Sequence, residues 1–172
     1  ILQTHALAYP KPQDLGLPDC PSDEALLSGE NLLHELGLID IDNRLTPAGQ
    51  AAATLPVSPR LGALLYFGTQ ADYLELSCMY AALISEASIL LRGKKQLSEL
   101  CPASTPETHS DLDILVALIK LARQHNFQPE RCTKLGINAN NCRAVMKAYE
   151  QFLRLCKKIT LRDDCEDLHP HC

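Results

Sequence analysis

The chain has 172 residues, 46% of them hydrophobic and 22% charged, with no Trp and a formal net charge of −5. That is enough apolar material for one mid-sized domain or two small ones packed together, and it excludes a disordered chain. No run approaches the roughly 18 apolar residues of a membrane span, and the opening Ile1-Leu2-Gln3-Thr4-His5 lacks the basic-then-apolar order of a secretory signal, so neither membrane insertion nor export is expected. With no initiator Met the chain reads as a fragment of a longer one. Its eight cysteines include no CxxC pair, and five of them (Cys78, Cys101, Cys132, Cys142, Cys156) fall in or beside helical or apolar stretches, so reduced cytoplasmic thiols are expected.

The predicted elements are mostly helices. Residues 1–8 read as a helix end stopped by Pro10 and Pro12. Ser22 caps a helix with Asp23 and Glu24 in its first turn, Leu26, Leu33 and Leu36 on its apolar side, and Gly37 as its terminator. The alternation Leu38-Ile39-Asp40-Ile41, the turn pair Asp42-Asn43 and then Arg44-Leu45 predict a short β-hairpin. Thr46-Pro47 and Ser58-Pro59 are cap-then-proline starts for helices over about 47–55 and 59–70, the first carrying Gly49 and Ala51-Ala52-Ala53 for close backbone approach.

A helix buried on several sides is expected from Asp72 to about Leu91, broken by Arg92-Gly93-Lys94-Lys95, and a loop over 102–109. Ser110 caps the next helix, with Leu112, Leu115, Val116, Ile119 and Ala122 on one stripe; a short helix follows Pro129, and a long one restarts at Gly136-Ile137-Asn138 and runs to about Lys158. That last helix places Arg143, Lys147, Arg154 and Lys158 on one side, at spacings of 4, 7 and 4.

The net charge of −5 is a cancellation. Residues 1–86 hold 3 bases against 11 acids, whereas residues 87–162 hold 13 bases against 6 acids. Such a split suits a molecule with one surface for a polyanion and another without one. With few aromatics to stack on bases, contacts would fall mainly on phosphates.

Enzymatic motifs are lacking. Arg92-Gly93-Lys94-Lys95 has neither the first Gly nor the Ser/Thr of a phosphate-cradling loop, and no Gly-x-Ser-x-Gly occurs. Cys165, His169, His171 and Cys172 have the types of zinc ligands, yet Pro170 stiffens the segment, and a solvated tail without metal is expected. The pair Asp111/Asp113 sits in a helix first turn, where the dipole explains it, and Asp40/Asp42 sits in a turn. No catalytic and no metal-binding residue is expected.

Three ordered motifs nevertheless carry a family resemblance. Leu32-Leu33-His34-Glu35-Leu36-Gly37-Leu38-Ile39-Asp40, Leu45-Thr46-Pro47-Ala48-Gly49-Gln50 and Leu55-Pro56-Val57-Ser58-Pro59-Arg60-Leu61 resemble the pattern that follows the motor domains of DEAH-box ATP-dependent RNA helicases. Ala81-Ala82-Leu83-Ile84-Ser85-Glu86 through Leu90-Leu91-Arg92-Gly93 looks more like the bacterial HrpB-type branch, and His109-Ser110-Asp111-Leu112 resembles the start of the next helix of the helicase-associated region. The resemblance spans about residues 20–158.

It implies a mainly α chain: a winged-helix domain with a short β-hairpin over residues 1–57, an all-α ratchet-like helical bundle over 58–160, and a flexible tail over 161–172. It also implies RecA-like motor domains upstream in the same chain, which would hold the ATP and magnesium that this fragment does not bind. Single-stranded RNA or DNA is the implied partner. Ile137-Asn138-Ala139-Asn140-Asn141-Cys142-Arg143 matches the family's RNA-facing segment at Ile137, Asn138 and, by charge, Arg143, although Asn138 equally suits a helix N-cap. The expected nucleic-acid-binding residues are therefore Arg92, Lys94, Lys95, Asn138, Arg143, Lys147 and Arg154. The rival readings are a protein-interaction scaffold and a free-standing winged-helix regulator of duplex DNA. The second is disfavoured by one base, Arg44, against six acids over residues 23–55.

Overall fold

The computed structural model describes residues 2–6, 21–91 and 110–166, with backbone alone at 4, 5 and 160–166. The chain is mainly helical, in the order α1 (Leu2–Ala6), α2 (Asp23–Glu35), α3 (Pro47–Thr54), α4 (Pro59–Gln70), α5 (Leu74–Ser85), α6 (Asp111–Gln124), α7 (Pro129–Lys134) and α8 (Ala139–Glu166). It forms two compact units, Ile1–Leu74 with Cys156–Cys172, and Glu75–Leu155.

In the first unit local chemistry delimits each helix. The Ser22 hydroxyl accepts from Ala25 N at the start of α2, and the Thr46 hydroxyl accepts from Gly49 N at the start of α3, with Pro47 in the first turn where its missing N–H is not needed. After α2 the chain turns through Gly37, whose φ of 66° is left-handed. Leu33, Leu38, Ile39, Ala48, Ala52 and Ala63 form the core. α3 packs on α1 and α4. Small residues set that packing: a Cβ on Gly49 would lie 1.9 Å from Leu38 O, and one on Gly62 would lie 2.7 Å from the Ala52 Cβ.

The predicted β-hairpin is reduced to one antiparallel bridge between Ile39 and Leu45, bounded by Asp40 N donating to Arg44 O at 2.9 Å and Thr46 N to Leu38 O at 3.1 Å. The alternation that predicted strands does not hold, because Leu38 and Ile39 are both buried and Ile41 is 92% exposed. Side-chain bonds organise the turn instead. Asp40 Oδ1 accepts from both Asp42 N and Arg44 N, and Asn43 takes a left-handed φ of 60°. Thr46 is already the cap of α3, which leaves no residues to extend a ladder.

In the second unit α5 buries Ser77, Cys78, Met79, Ala81, Ala82 and Leu83 around much of its circumference. It ends at Ser85, not near Leu91 as the sequence predicts. Residues 89–91 are instead extended and pair with 136–138: Asn138 N donates to Ile89 O at 2.7 Å, and Leu91 N to Gly136 O at 2.9 Å. The apolar run Ile89-Leu90-Leu91 continues the hydrophobic pattern of α5, but its backbone groups are taken by this pairing, which Gly136 admits with a φ of 73°. α6 begins in a capping box, with Ser110 N donating to Asp113 Oδ2 at 2.8 Å and the Ser110 hydroxyl accepting from Asp113 N. α8 runs to Glu166, beyond the expected end near Lys158.

Candidate nucleic-acid interface

The amphipathic pattern of α8 determines what its faces offer. Cys142, Val145, Met146, Phe152 and Cys156 are buried, which turns Arg143, Lys147 and Arg154 outward, and all three are exposed. At 100° per residue Glu150 falls within the same stripe, between Lys147 and Arg154, so the row of cations contains one carboxylate.

Arg143 is not a free cation. Its Nη1 donates to Asn140 Oδ1 at 3.0 Å and its Nη2 to Phe127 O at 2.8 Å. Phe127 O belongs to the turn between α6 and α7, where Asn126 and Phe127 both have left-handed backbones, at φ 51° and 52°. That conformation is unfavourable for a bulky residue, so this guanidinium secures a strained turn while retaining N–H groups that face away from both acceptors.

Asn138 serves as a helix cap. Its Oδ1 accepts from Asn140 N at 2.9 Å and Asn141 N at 3.1 Å, and its own carbonyl accepts from Cys142 N. Asn141 reaches from its Nδ2 to Ser88 O at 2.7 Å and fastens the extended segment to the start of α8. Both asparagines thus have structural duties. Arg92, Lys94 and Lys95 lie outside the described residues, as do the side chains of Cys165, His169, His171 and Cys172.

Neither thiol nor carboxylate chemistry competes with this reading. Cys132 and Cys142 are buried, and burial pushes both thiols up, Cys142 to about 12, with the neighbouring Arg143 opposing only in part. Neither is a thiolate near neutral pH. Burial first, then Asp113, pushes the Tyr80 phenol up to about 12, and the Tyr80 hydroxyl donates to Asp113 Oδ1. Asp113 is therefore engaged on both oxygens, by Tyr80 and by the Ser110 cap. Among the described residues no three His, Cys, Asp or Glu side chains are placed to hold a metal ion, and no helix is long and apolar enough to cross a membrane.

Sequence reasoning passed over a second set of bases. Arg131 and Lys134 on α7 are exposed and line a groove with Leu121, His125, Gln128, Glu130 and Leu135. The i,i+4 spacing of Glu130 and Lys134 reads in the sequence as a helix-surface ion pair, yet neither residue forms one among the described residues.

No protein-family model matches the chain. In sequence it is similar to the ATP-dependent RNA helicase DHX29 of Mus musculus, 28% identical over 161 residues that cover 84% of this chain and 12% of that protein. It is also similar to the ATP-dependent DNA/RNA helicase DHX36 of Bos taurus, 29% identical over 144 residues, 79% of this chain and 14% of that one. The probable ATP-dependent RNA helicase DHR2 of Saccharomyces cerevisiae is 26% identical over 156 residues, covering 81% of this chain and 21% of its own length. The chain thus spans between 12% and 21% of the length of these relatives.

Proposed function

We propose that this chain is an accessory region of an ATP-dependent RNA helicase, binding single-stranded nucleic acid and coupling motor movement to translocation and unwinding. The observation that carries the reading is the similarity along 79–84% of the chain to helicases that are several times longer. The exposed cations of α8 supply the means, since a row of Lys and Arg binds phosphodiester backbone without regard to base identity. In this reading the first unit is a reduced winged-helix domain whose turn at Asp42-Asn43 stands for the wing, the second belongs to the helicase-associated bundle, and the nearest branch is the HrpB type. Arg92, Lys94 and Lys95 would add to the basic surface, and the protein would act in the cytoplasm.

ATP and magnesium belong, in this reading, to RecA-like motor domains of the same protein. This chain's own residues do not fit the nucleotide, since no Gly-rich loop ends in Lys followed by Ser or Thr. Its part is mechanical: cations hold the strand while motors elsewhere move it. A free-standing reader of duplex DNA is disfavoured because α3 carries no charged side chain and α2 is acidic, so neither of the helices flanking the Asp42-Asn43 turn is a basic recognition helix.

The test is fluorescence anisotropy of a labelled oligouridylate of about 12 nucleotides across a salt series, with wild type and the double variant Lys147→Glu/Arg154→Glu. These two residues are preferable to Arg143, whose replacement would also disturb the turn at Phe127. Binding that falls steeply with salt, and falls further in the variant, is expected. No binding by wild type at low salt would overturn the strand-binding role and leave a protein-interaction scaffold. A parent gene without an upstream Walker A loop and DEAH-type motif would overturn the helicase assignment.

A further inference from the structure

The corner where α6 turns into α7 concentrates positive charge more completely than the α8 stripe does. Residues 120–135 contain four bases, Lys120, Arg123, Arg131 and Lys134, against Glu130 alone, and all four bases are exposed. Among the described residues none of the four forms an ion pair or a side-chain hydrogen bond. On α8, by contrast, Arg143 has two donors committed within the protein and Glu150 interrupts the row.

The corner also has shape. Arg131 and Lys134 stand one helical turn apart, so their side chains share one side of α7. They border a groove lined also by the half-buried Leu121 and Leu135, by His125 and Gln128, and by one carboxylate, Glu130, so that the cations outnumber the acid two to one. The turn that joins His125 to Gln128 beside the groove is held in place: Phe127 N donates to Ala122 O at 2.9 Å, and Phe127 O accepts from Arg143. Unpaired cations beside apolar side chains, on a corner already fastened, suit a chain of phosphates joined by sugars and bases better than a compact anion, and the ordering cost of binding is largely avoided.

We propose that the α6–α7 corner is a second phosphodiester-binding surface, distinct from the α8 stripe, on which Arg131 and Lys134 hold neighbouring phosphates of single-stranded RNA and Leu121 and Leu135 support the intervening sugar or base. The proposal rests on the reading that this chain binds single-stranded nucleic acid, and adds a site that the sequence motifs do not mark.

The experiment uses the whole 172-residue chain and the labelled oligouridylate, comparing wild type with Arg131→Glu/Lys134→Glu, with Arg131→Ala/Lys134→Ala, and with Lys147→Glu/Arg154→Glu. Loss of two phosphate contacts predicts about tenfold weaker binding for the charge reversal near 0.1 M salt, and a salt slope shallower by about 1.4 for the Ala pair. Arg131→Lys/Lys134→Arg should bind within about twofold of wild type, because the charge is kept. Far-UV circular dichroism checks that each variant is folded; the Ala pair, which adds no new charge, decides the matter if the reversal is not. Wild-type affinity and slope in the folded Ala pair, together with loss in the α8 variant, would overturn this proposal and leave the strand-binding role standing. No binding by wild type would overturn both. Displacement of the RNA by polyglutamate of equal charge at equal concentration would also overturn it, since the corner would then favour an acidic peptide as readily as a nucleic acid.

Discussion

The two units hold themselves together in different ways. From Asp23 to Leu74 the core is made by letting backbones meet: Gly49 lies under Leu38 O, Gly62 lies against Ala52, and Ala48, Ala51 and Ala63 fill the remaining contact. From Glu75 to Leu155 the core is made of larger side chains, Ile114, Leu118, Ile119, Ile137, Val145 and Phe152, and polar side chains tie separate segments together. Tyr80 joins α5 to Asp113 on α6, Asn141 joins α8 to Ser88, and Arg143 joins α8 to Phe127. Charge differs between them as well. Residues 21–74 carry seven acids against two bases, whereas residues 75–155 carry ten bases against eight acids, with seven of those bases and only two of the acids falling after residue 113. One unit is therefore sensitive to added volume and the other to lost hydrogen bonds, and the second carries Arg143, Lys147 and Arg154 of α8 and the bases of the α6–α7 corner.

The strongest test of that contrast is Gly49→Ala. A Cβ 1.9 Å from a carbonyl oxygen cannot be accommodated by a side-chain rotation, so α3 must move off the Leu38 turn. We expect destabilisation of about 3 kcal/mol or more, read as loss of the first unit's transition in urea unfolding. A variant as stable as wild type would show that the first unit is not limited by backbone approach.

In the second unit the corresponding test is Tyr80→Phe, which removes a hydrogen bond to a carboxylate and should cost about 1.5 kcal/mol. Its pH dependence is distinctive. The Tyr80 phenol is raised from 10.0 to about 12, and the Cys142 thiol from 9.0 to about 12. The unfolded chain therefore releases these protons first, and stability is whole below about pH 9 and declines as pH rises toward 12. Urea midpoints at several pH values should fall through this window, and Tyr80→Phe should flatten the part above pH 10. A wild-type midpoint unchanged up to pH 11 would contradict both assignments.

Asn138→Ala should cost about 1 kcal/mol by uncapping α8, and Asn138→Ser should recover most of it. Thermal unfolding of the pair separates a cap from a strand contact, because a contact alone would leave the unfolding temperature of the free protein unchanged. A comparably small effect belongs to Gly37→Ala, at about 1 kcal/mol for a left-handed φ of 66° whose Cβ would meet only the Phe67 ring at an ordinary 3.8 Å. Its modest cost beside that of Gly49→Ala would show that approach distance, rather than backbone conformation, dominates the first unit.

Much of the helix pattern is legible in the chain because its signals are local. Ser22, Thr46, Ser110 and Pro129 mark starts that depend on a residue's own hydroxyl or ring, and the small residues of α3 announce a close neighbour. The hairpin was misjudged because alternation records only what a half-buried strand would need, while Asp40 and Thr46 form side-chain bonds that end the ladder after one bridge. The end of α5 departs from the sequence pattern for the complementary reason: Ile89, Leu90 and Leu91 are as apolar as a helix core, and only a partner 45 to 49 residues away, at 136–138, makes them extended.

The candidate site divides along the same line. The sequence by itself determined that the cations concentrate in the second half, that they recur on one side of α8, and that the motifs resemble a pattern found in DEAH-box RNA helicases. It could not determine which cations are committed. Asn138 is bonded to the first N–H groups of its own helix, a cap its sequence position already suits, whereas Arg143 is bonded to Phe127 O, a backbone group that folding brings to it. Arg131 and Lys134 form no ion pair with Glu130 among the described residues, and all three border one groove. Whether a charge is available for a ligand depends on which donors and acceptors lie within about 3.5 Å of it. That neighbourhood is assembled from distant segments, so only the tertiary structure decides it.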